Sequence, residues 1–167
     1  MLSFNKIRQM KNPNLTDEEY LERMVKYKAL YENAPFPYQS LDVDGCFKDV
    51  NPAFLKTLGY ERVEIIGKFF GDFLHPDSKA HFRKNFTKFK RRGSVSDLKF
   101  KIQHKKGHWI DISFQGNIAY HSDGSFKQTY CAFQDITSRR RAEEALRENE
   151  KLLRTIAENF PNSYIPT

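Results

Sequence analysis

The chain has 167 residues, 39% of them hydrophobic and 15 of them phenylalanine, which suits one domain of ordinary size with extensions. No apolar run approaches the roughly 20 residues of a membrane helix, no signal-peptide pattern opens the sequence, and Cys46 and Cys131 lack metal-ligand spacing. The formal charge of +7 is uneven, with eleven Lys or Arg residues between Lys79 and Lys106 against one acid, Asp97. Such a field can attract nucleic acid, but Lys99 and Lys101 alternate with apolar residues as on an outward strand face. A solvated face is therefore the preferred reading, and no nucleic acid is expected as a partner. Two thiols read as small buried hydrophobes fit a reducing, cytoplasmic setting.

Residues 1–15 are polar and irregular and are expected to be mobile. Thr16 and Glu19 then form a capping-box signature, so a flanking helix is predicted over 16–33. Its stripe of Tyr20, Met24, Tyr27 and Tyr31, with Leu21 and Val25 beside it, needs either the sheet of its own domain or a second copy as partner. Pro35 and Pro37 break the helix. Strands are predicted over Tyr38–Asp42 and Cys46–Val50 around the turn Val43-Asp44-Gly45. Asn51-Pro52 is a helix start whose first turns offer Phe54, Leu55 and Leu58 before Gly59 ends them. Glu61–Ile66 reads as another turn or two, and the broken apolar run Phe69–Leu74 as a loop wrapping a core. His75-Pro76-Asp77 opens a longer helix to about Arg92, with Phe82, Phe86 and Phe89 near helical spacing and Gly93 closing it.

Three strands follow. In the first, over Val95–His104, Leu98, Phe100 and Ile102 share a face, and Lys105-Lys106-Gly107 turns the chain. The next two, within Gly107–Thr137, surround the turn His121–Ser125: Ile110, Ile112 and Phe114 alternate with Trp109, Asp111 and Ser113, and Cys131 and Phe133 with Tyr130 and Ala132. Strand runs separated by a helical block, without a βαβ rhythm, predict an α+β fold: an antiparallel sheet with helices on one side. Trp109, Tyr130 and Ala132 on the other side call for cover by the N-terminal helix or a second subunit.

From Thr137 the sequence turns to a charged helix over 138–160. Ala142, Leu146, Asn149, Leu153, Ile156 and Phe160 follow steps of four and three, a heptad seam on which Asn149 would fix register. A homodimer seam is expected from Tyr20, Met24 and Tyr27 together with Ala142, Leu146, Asn149, Leu153 and Ile156. Leu30–Tyr38 can also be laid over Ile156–Tyr164 at an offset of 126 residues, with Glu, Asn, Pro and Tyr coinciding. Residues 161–167 are therefore read as the start of a second similar repeat.

Several short pieces carry a family resemblance when taken in order. They are Glu32-Asn33-Ala34-Pro35, Asp44-Gly45, Asn51-Pro52-Ala53-Phe54 with Leu58-Gly59-Tyr60, and Glu64-Ile65-Ile66-Gly67-Lys68. After them come His75-Pro76-Asp77, Lys106-Gly107-His108-Trp109-Ile110-Asp111-Ile112-Ser113 and Asp135-Ile136-Thr137-Ser138-Arg139-Arg140. Over roughly residues 16–167 the sequence resembles a PAS domain with its PAC segment. The resemblance implies a five-stranded antiparallel sheet with helices on its concave face, over residues 34–137, followed by a signalling helix. It also implies a sensory or dimerisation module upstream of an output domain in the same chain, commonly a histidine kinase or a diguanylate cyclase. Trp109, Asp135, Ile136 and Thr137 are the relay residues it points to.

The ligand has to be read residue by residue. Flavin photoreceptors of this fold need a reactive Cys just after the Ile-Ile-Gly segment, and here Gly67-Lys68-Phe69-Phe70 has none, so cysteinyl-flavin chemistry is not expected. Haem-binding relatives take a His from the long helix, which makes His81 the residue to test. The strand Val95–His104 lacks the Arg of oxygen sensors, however, and a surface role for His81 is preferred. The expected pocket is apolar: Phe54, Leu58, Phe73, Phe82, Phe86, Phe100, Ile102, Ile112, Phe114 and Phe133. It would be a packed core or would hold a small apolar or aromatic ligand. No metal cluster, nucleophile–base pair or phosphate loop is evident, so a regulatory module is expected and an enzyme is not. The alternative function is a ligand-free dimerisation scaffold.

Overall fold

The computed structural model describes residues 16–159. The expected mobile N-terminus, Phe160 and the repeat expected at 161–167 lie outside these residues. Helix α1 (Asp17–Glu32) begins with the expected capping box, in which Glu19 N–H donates to Thr16 Oγ1 at 3.2 Å and Thr16 N–H donates to the Glu19 carboxylate at 2.8 Å. Strands β1 (Tyr38–Leu41) and β2 (Phe47–Val50) form a hairpin. Helices α2 (Pro52–Leu58) and α3 (Arg62–Ile65) follow, then a 3-10 turn over Phe70–Phe73 and helix α4 (Pro76–Arg92). Strands β3 (Ser94–Gln103), β4 (Trp109–Tyr120) and β5 (Phe126–Asp135) lead into helix α5 (Thr137–Asn159).

All strand pairs are antiparallel, and the five strands lie in the order β2-β1-β5-β4-β3. The first and last strands thus meet inside the sheet, where β1 lies beside β5. Helices α2 to α4 cover one face, as the alternation of β3 to β5 requires. Phe100, Ile102, Ile110, Ile112, Phe114, Cys131 and Phe133 are all buried there. Close approach of β4 and β5 depends on Gly116, since a Cβ at that position would lie 2.3 Å from Cys131 Sγ. Gly93, at φ 79, takes the left-handed conformation that ends α4.

The structure corrects three expectations. The stretch Phe69–Leu74 is not a plain loop: it carries a 3-10 turn that buries Phe70 completely against Phe47, Phe82, Phe100 and Phe114. Cys46 lies just outside β2 and is half-buried, whereas Cys131 is buried as expected. Helix α1 does not cover the outer sheet face either. Its last turn meets the sheet through Tyr31, edge-on to Tyr38 at 5.1 Å, while Tyr130 remains 44% exposed. A helix that leaves its domain at one end can bury only its last turn on that domain, whatever the stripe along it.

Candidate functional site

The ten expected pocket residues come together between the sheet and helices α2 and α4. Nine are buried and Phe73 is half-buried between Phe47 and Tyr60. Edge-to-face rings fill the interior, among them Phe47–Phe54 at 5.5 Å, Phe54–Phe133 at 5.7 Å and Phe70–Phe82 at 4.9 Å. The free space left is a cavity of about 20 Å3 beside Phe82, Phe86, Phe100, Phe114 and Cys131, the size of one water. A larger ligand would have to displace phenylalanine side chains.

Two polar features of this interior were missed from sequence. Gln39 is fully buried, and its register opposite Val50 and Cys131 puts it on the helix-covered face. Neither atom of its carboxamide has a protein partner. Alternation with Leu41 is the signal that could have placed it there. Thr129, also fully buried, accepts from Leu41 N–H at 2.8 Å through Oγ1 and so ties β5 to β1. Burial pushes the Cys131 thiol up to about 12, with a hydrogen bond to Thr129 pulling the other way. At neutral pH that sulfur is a thiol, not a nucleophile.

Asn51 joins the flanking helix to the domain. Its Oδ1 accepts from Phe54 N–H at 3.0 Å, capping α2, and from Tyr38 N–H at 2.9 Å. Its Nδ2 donates to the carbonyls of Phe36 at 3.0 Å and Tyr31 at 3.4 Å. One fully buried amide therefore holds the end of α1, the start of β1 and the start of α2. Beside it Arg62 pairs with Asp49 and donates to the Val50 carbonyl at 2.7 Å. The Tyr31 hydroxyl is raised above its ordinary pKa, first by burial and then by the Asp49 carboxylate.

The exit into α5 is the second candidate. Asp135 Oδ1 accepts from Thr137 N–H at 2.8 Å, an Asx-type turn that starts the helix, and Ile136 is buried. The partner of this junction is Asp111 on β4. Its N–H donates to Thr137 Oγ1 at 3.0 Å, its carbonyl accepts from Ile136 N–H at 2.8 Å, and its carboxylate pairs with Arg140 at 2.6 Å. Three contacts thus fasten the start of α5 to β4, near the beginning of that strand. Of the expected relay residues, Asp135, Ile136 and Thr137 assemble here. Trp109 does not reach the junction; its ring lies edge-on to His75 at 4.9 Å. Asp111 and Arg140 were not singled out from sequence, because 29 residues separate them and the charged run offers three adjacent arginines, Arg139 to Arg141.

The remaining candidates are dispersed. His81 is exposed on α4 with its ring against Phe100 at 5.9 Å, so it faces solvent and not the interior that a haem would occupy. Along the expected dimer seam, Met24, Tyr27, Leu146, Leu153 and Ile156 are between 47% and 62% exposed, Ala142 and Asn149 are exposed, and Tyr20 is half-buried. Among the described residues no group of three His, Cys, Asp or Glu side chains could hold a metal. No helix among them is long and apolar enough to cross a membrane.

Comparison with known proteins agrees with this architecture. A protein of Sinorhizobium fredii called uncharacterized protein y4lL is 28% identical over 147 residues, 87% of this chain and 18% of its own length. The structure of an RNA-binding light-oxygen-voltage receptor superposes with a TM-score of 0.68 at 18% identity, covering 84% of this chain and 40% of that one. A sensory box histidine kinase/response regulator of Burkholderia thailandensis superposes with a TM-score of 0.61 at 22% identity, covering 78% of this chain and 98% of that structure. This chain thus spans less than half of the relative and of the receptor. A family model described as the PAS fold matches residues 47–132, from β2 through most of β5, and the chain belongs to the PAS family.

Proposed function

We propose that this PAS domain is a sensory relay module that passes the state of its interior, or of a partner bound on it, through the Asp135–Thr137 junction into α5. From there the signal would reach an output domain of the histidine kinase or diguanylate cyclase type in the same chain, in the cytoplasm. The observation that carries this reading is the position of Asp111. Ile110 and Ile112 on either side of it are buried in the Phe-rich interior, while Asp111 itself, on the opposite face of β4, grips the start of α5. A strand displaced by repacking on one face must move the helix held on the other. Dimerisation would run along α1 and the α5 seam, where Tyr20, Met24, Tyr27, Ala142, Leu146, Asn149, Leu153 and Ile156 await a partner. Residues 161–167 would then open a second repeat, and the resting interior would hold no cofactor or a small apolar or aromatic ligand.

A second reading, a ligand-free dimerisation scaffold, is favoured by the size of the cavity, about 20 Å3. One experiment separates them. The chain is purified without added ligand and examined by absorbance and native mass spectrometry, and the spacing of the two α5 helices is measured with spin labels in the unaltered protein and in Asp111→Asn and Thr137→Ala. The relay reading expects the labels to change spacing in the variants while the domain's melting temperature changes little. Unchanged spacing in a dimer of bare mass would leave the scaffold.

A further inference from the structure

Five of the eleven basic residues between Lys79 and Lys106 are engaged by side chains or carbonyls of the domain itself. Lys79 pairs with Asp72 at 2.6 Å, Lys99 with Asp97 at 3.7 Å and Lys105 with Glu64 at 2.7 Å. Arg83 lies over the Phe69 ring, and Lys90 lies over Phe86 while donating to the Val43 carbonyl. Lys88 and Arg92 differ from these. They stand about one turn apart on α4, no acid pairs with either among the described residues, and both line a groove of about 450 Å3 between α4 and the start of β3. That volume lies within the roughly 300–1,000 Å3 of small-molecule sites.

The rest of the lining is chosen for hydrogen bonding without charge. Ser94, Ser96 and Asn117 form the strand wall. Asn85, on α4, donates through Nδ2 to the His81 carbonyl at 2.8 Å, which leaves its side-chain oxygen as an acceptor. Phe89 and Val95 supply an apolar floor. The strand is also shaped to keep acid out. At a bulge, Ser96 and Asp97 stand opposite the single Gln115 of β4, and Asp97 takes φ 49, a left-handed conformation that few non-glycine residues adopt. The carboxylate of Asp97, the one acid of this region, thereby accepts from Ser113 at 2.9 Å on the outer sheet face and is absent from the groove. Favourable interaction with the helix macrodipole accounts for basic residues in the last turn of α4. It does not account for Lys88, one turn earlier, nor for the acid turned away.

We propose that this groove binds a small organic phosphate of mononucleotide size, independently of whatever the interior holds. Lys88 and Arg92 take the phosphate oxygens, the serine hydroxyls and Asn117 donate to them, and an apolar or ring portion lies on Phe89 and Val95 with a donor toward Asn85. A phosphomonoester suits this set better than a carboxylate, because three acceptor oxygens match several donors around two cations. A nucleic-acid strand suits it less, since a tracking groove needs successive cations and stacking rings, and here the cations lining the groove are the two on one side.

Calorimetric titration of the 167-residue chain with AMP, adenosine and inorganic phosphate tests this. AMP is expected to bind at least about tenfold more tightly than adenosine or phosphate, and Lys88→Gln and Arg92→Gln are each expected to weaken it about tenfold. Lys84→Gln, on the same helix but outside the groove, should leave it unchanged. The proposal is overturned if AMP binds no better than adenosine, or if Lys84→Gln weakens it as much as Lys88→Gln. A single-stranded oligonucleotide that binds far more tightly than AMP, and loses affinity equally in Lys84→Gln and Arg91→Gln, overturns it in favour of an extended nucleic-acid face. Should a groove variant fail to fold, the unaltered chain decides: AMP affinity must fall as salt rises, and indifference to salt removes the site.

Discussion

The domain and its two flanking helices treat apolar residues in opposite ways. Between β1 and the start of α5, phenylalanines such as Phe54 and Phe70 are wholly buried and nearly every ring meets another. In α1 and α5 not one residue is buried, and Leu21, Met24, Val25, Leu146 and Leu153 stand at least half exposed. The domain closes its own core, whereas the helices carry apolar stripes that nothing in the described chain covers. Stability therefore belongs to the domain, and the helices keep their apolar stripes exposed. The Asn51 and Asp111 contacts are where the two regimes meet.

The largest effect that would break this contrast is expected in the core. Phe70→Ala removes the ring on which Phe47, Phe82, Phe100 and Phe114 converge, and should cost about 3–5 kcal/mol in urea unfolding. A cost below about 1 kcal/mol would mean that the interior is loosely filled and already open to ligand. Next comes Asn51→Leu, which leaves the amides of Tyr38 and Phe54 without their side-chain acceptor and should cost about 2 kcal/mol. It should also loosen the end of α1, read as faster amide exchange over residues 29–33.

Cys131 sharpens the comparison through pH. Its thiol is raised in the fold to about 12 while an unfolded thiol titrates near the ordinary value, so its contribution is complete below about pH 9 and is lost as pH rises toward 12. The stability gap between the unaltered chain and Cys131→Ala should therefore narrow from pH 8 to pH 10, by no more than about 1.4 kcal/mol per pH unit. A constant gap would show that the sulfur is not sealed in the core. The smallest effect on stability is expected from the double change Leu146→Glu and Leu153→Glu on α5. Domain stability should stay within about 0.5 kcal/mol, while sedimentation should report monomer in place of the dimer proposed for the unaltered chain. A large loss of domain stability would mean that α5 packs on its own domain.

Much of the fold was legible because it is written in short-range chemistry. The Thr16–Glu19 box, the Asn51-Pro52 start, the His75 cap and the Gly93 stop each make their capping hydrogen bond within four residues. Alternation in β4 and β5 set which side chains share a face, since successive residues of a strand must point oppositely. The site was legible only as a set of residues. Gln39 on the covered face could have been found by the same alternation. The bulge at Ser96 and Asp97 could not, because an extra residue in one strand is defined by its partner strand.

The sequence by itself determined most of the elements, the covered face of the long strands and the phenylalanine interior, all consequences of local hydrogen bonding and side-chain period. Only the tertiary structure decided which charges meet. Arg140 and its neighbours Arg139 and Arg141 are alike in sequence, and Arg140 reaches Asp111 because α5 leaves β5 in one direction. In the same way Asp97 pairs outward and leaves Lys88 and Arg92 facing a groove, because the bulge turns β3 at that point. Charge is long-ranged and indifferent to sequence separation, so its partners are set by where the backbone goes.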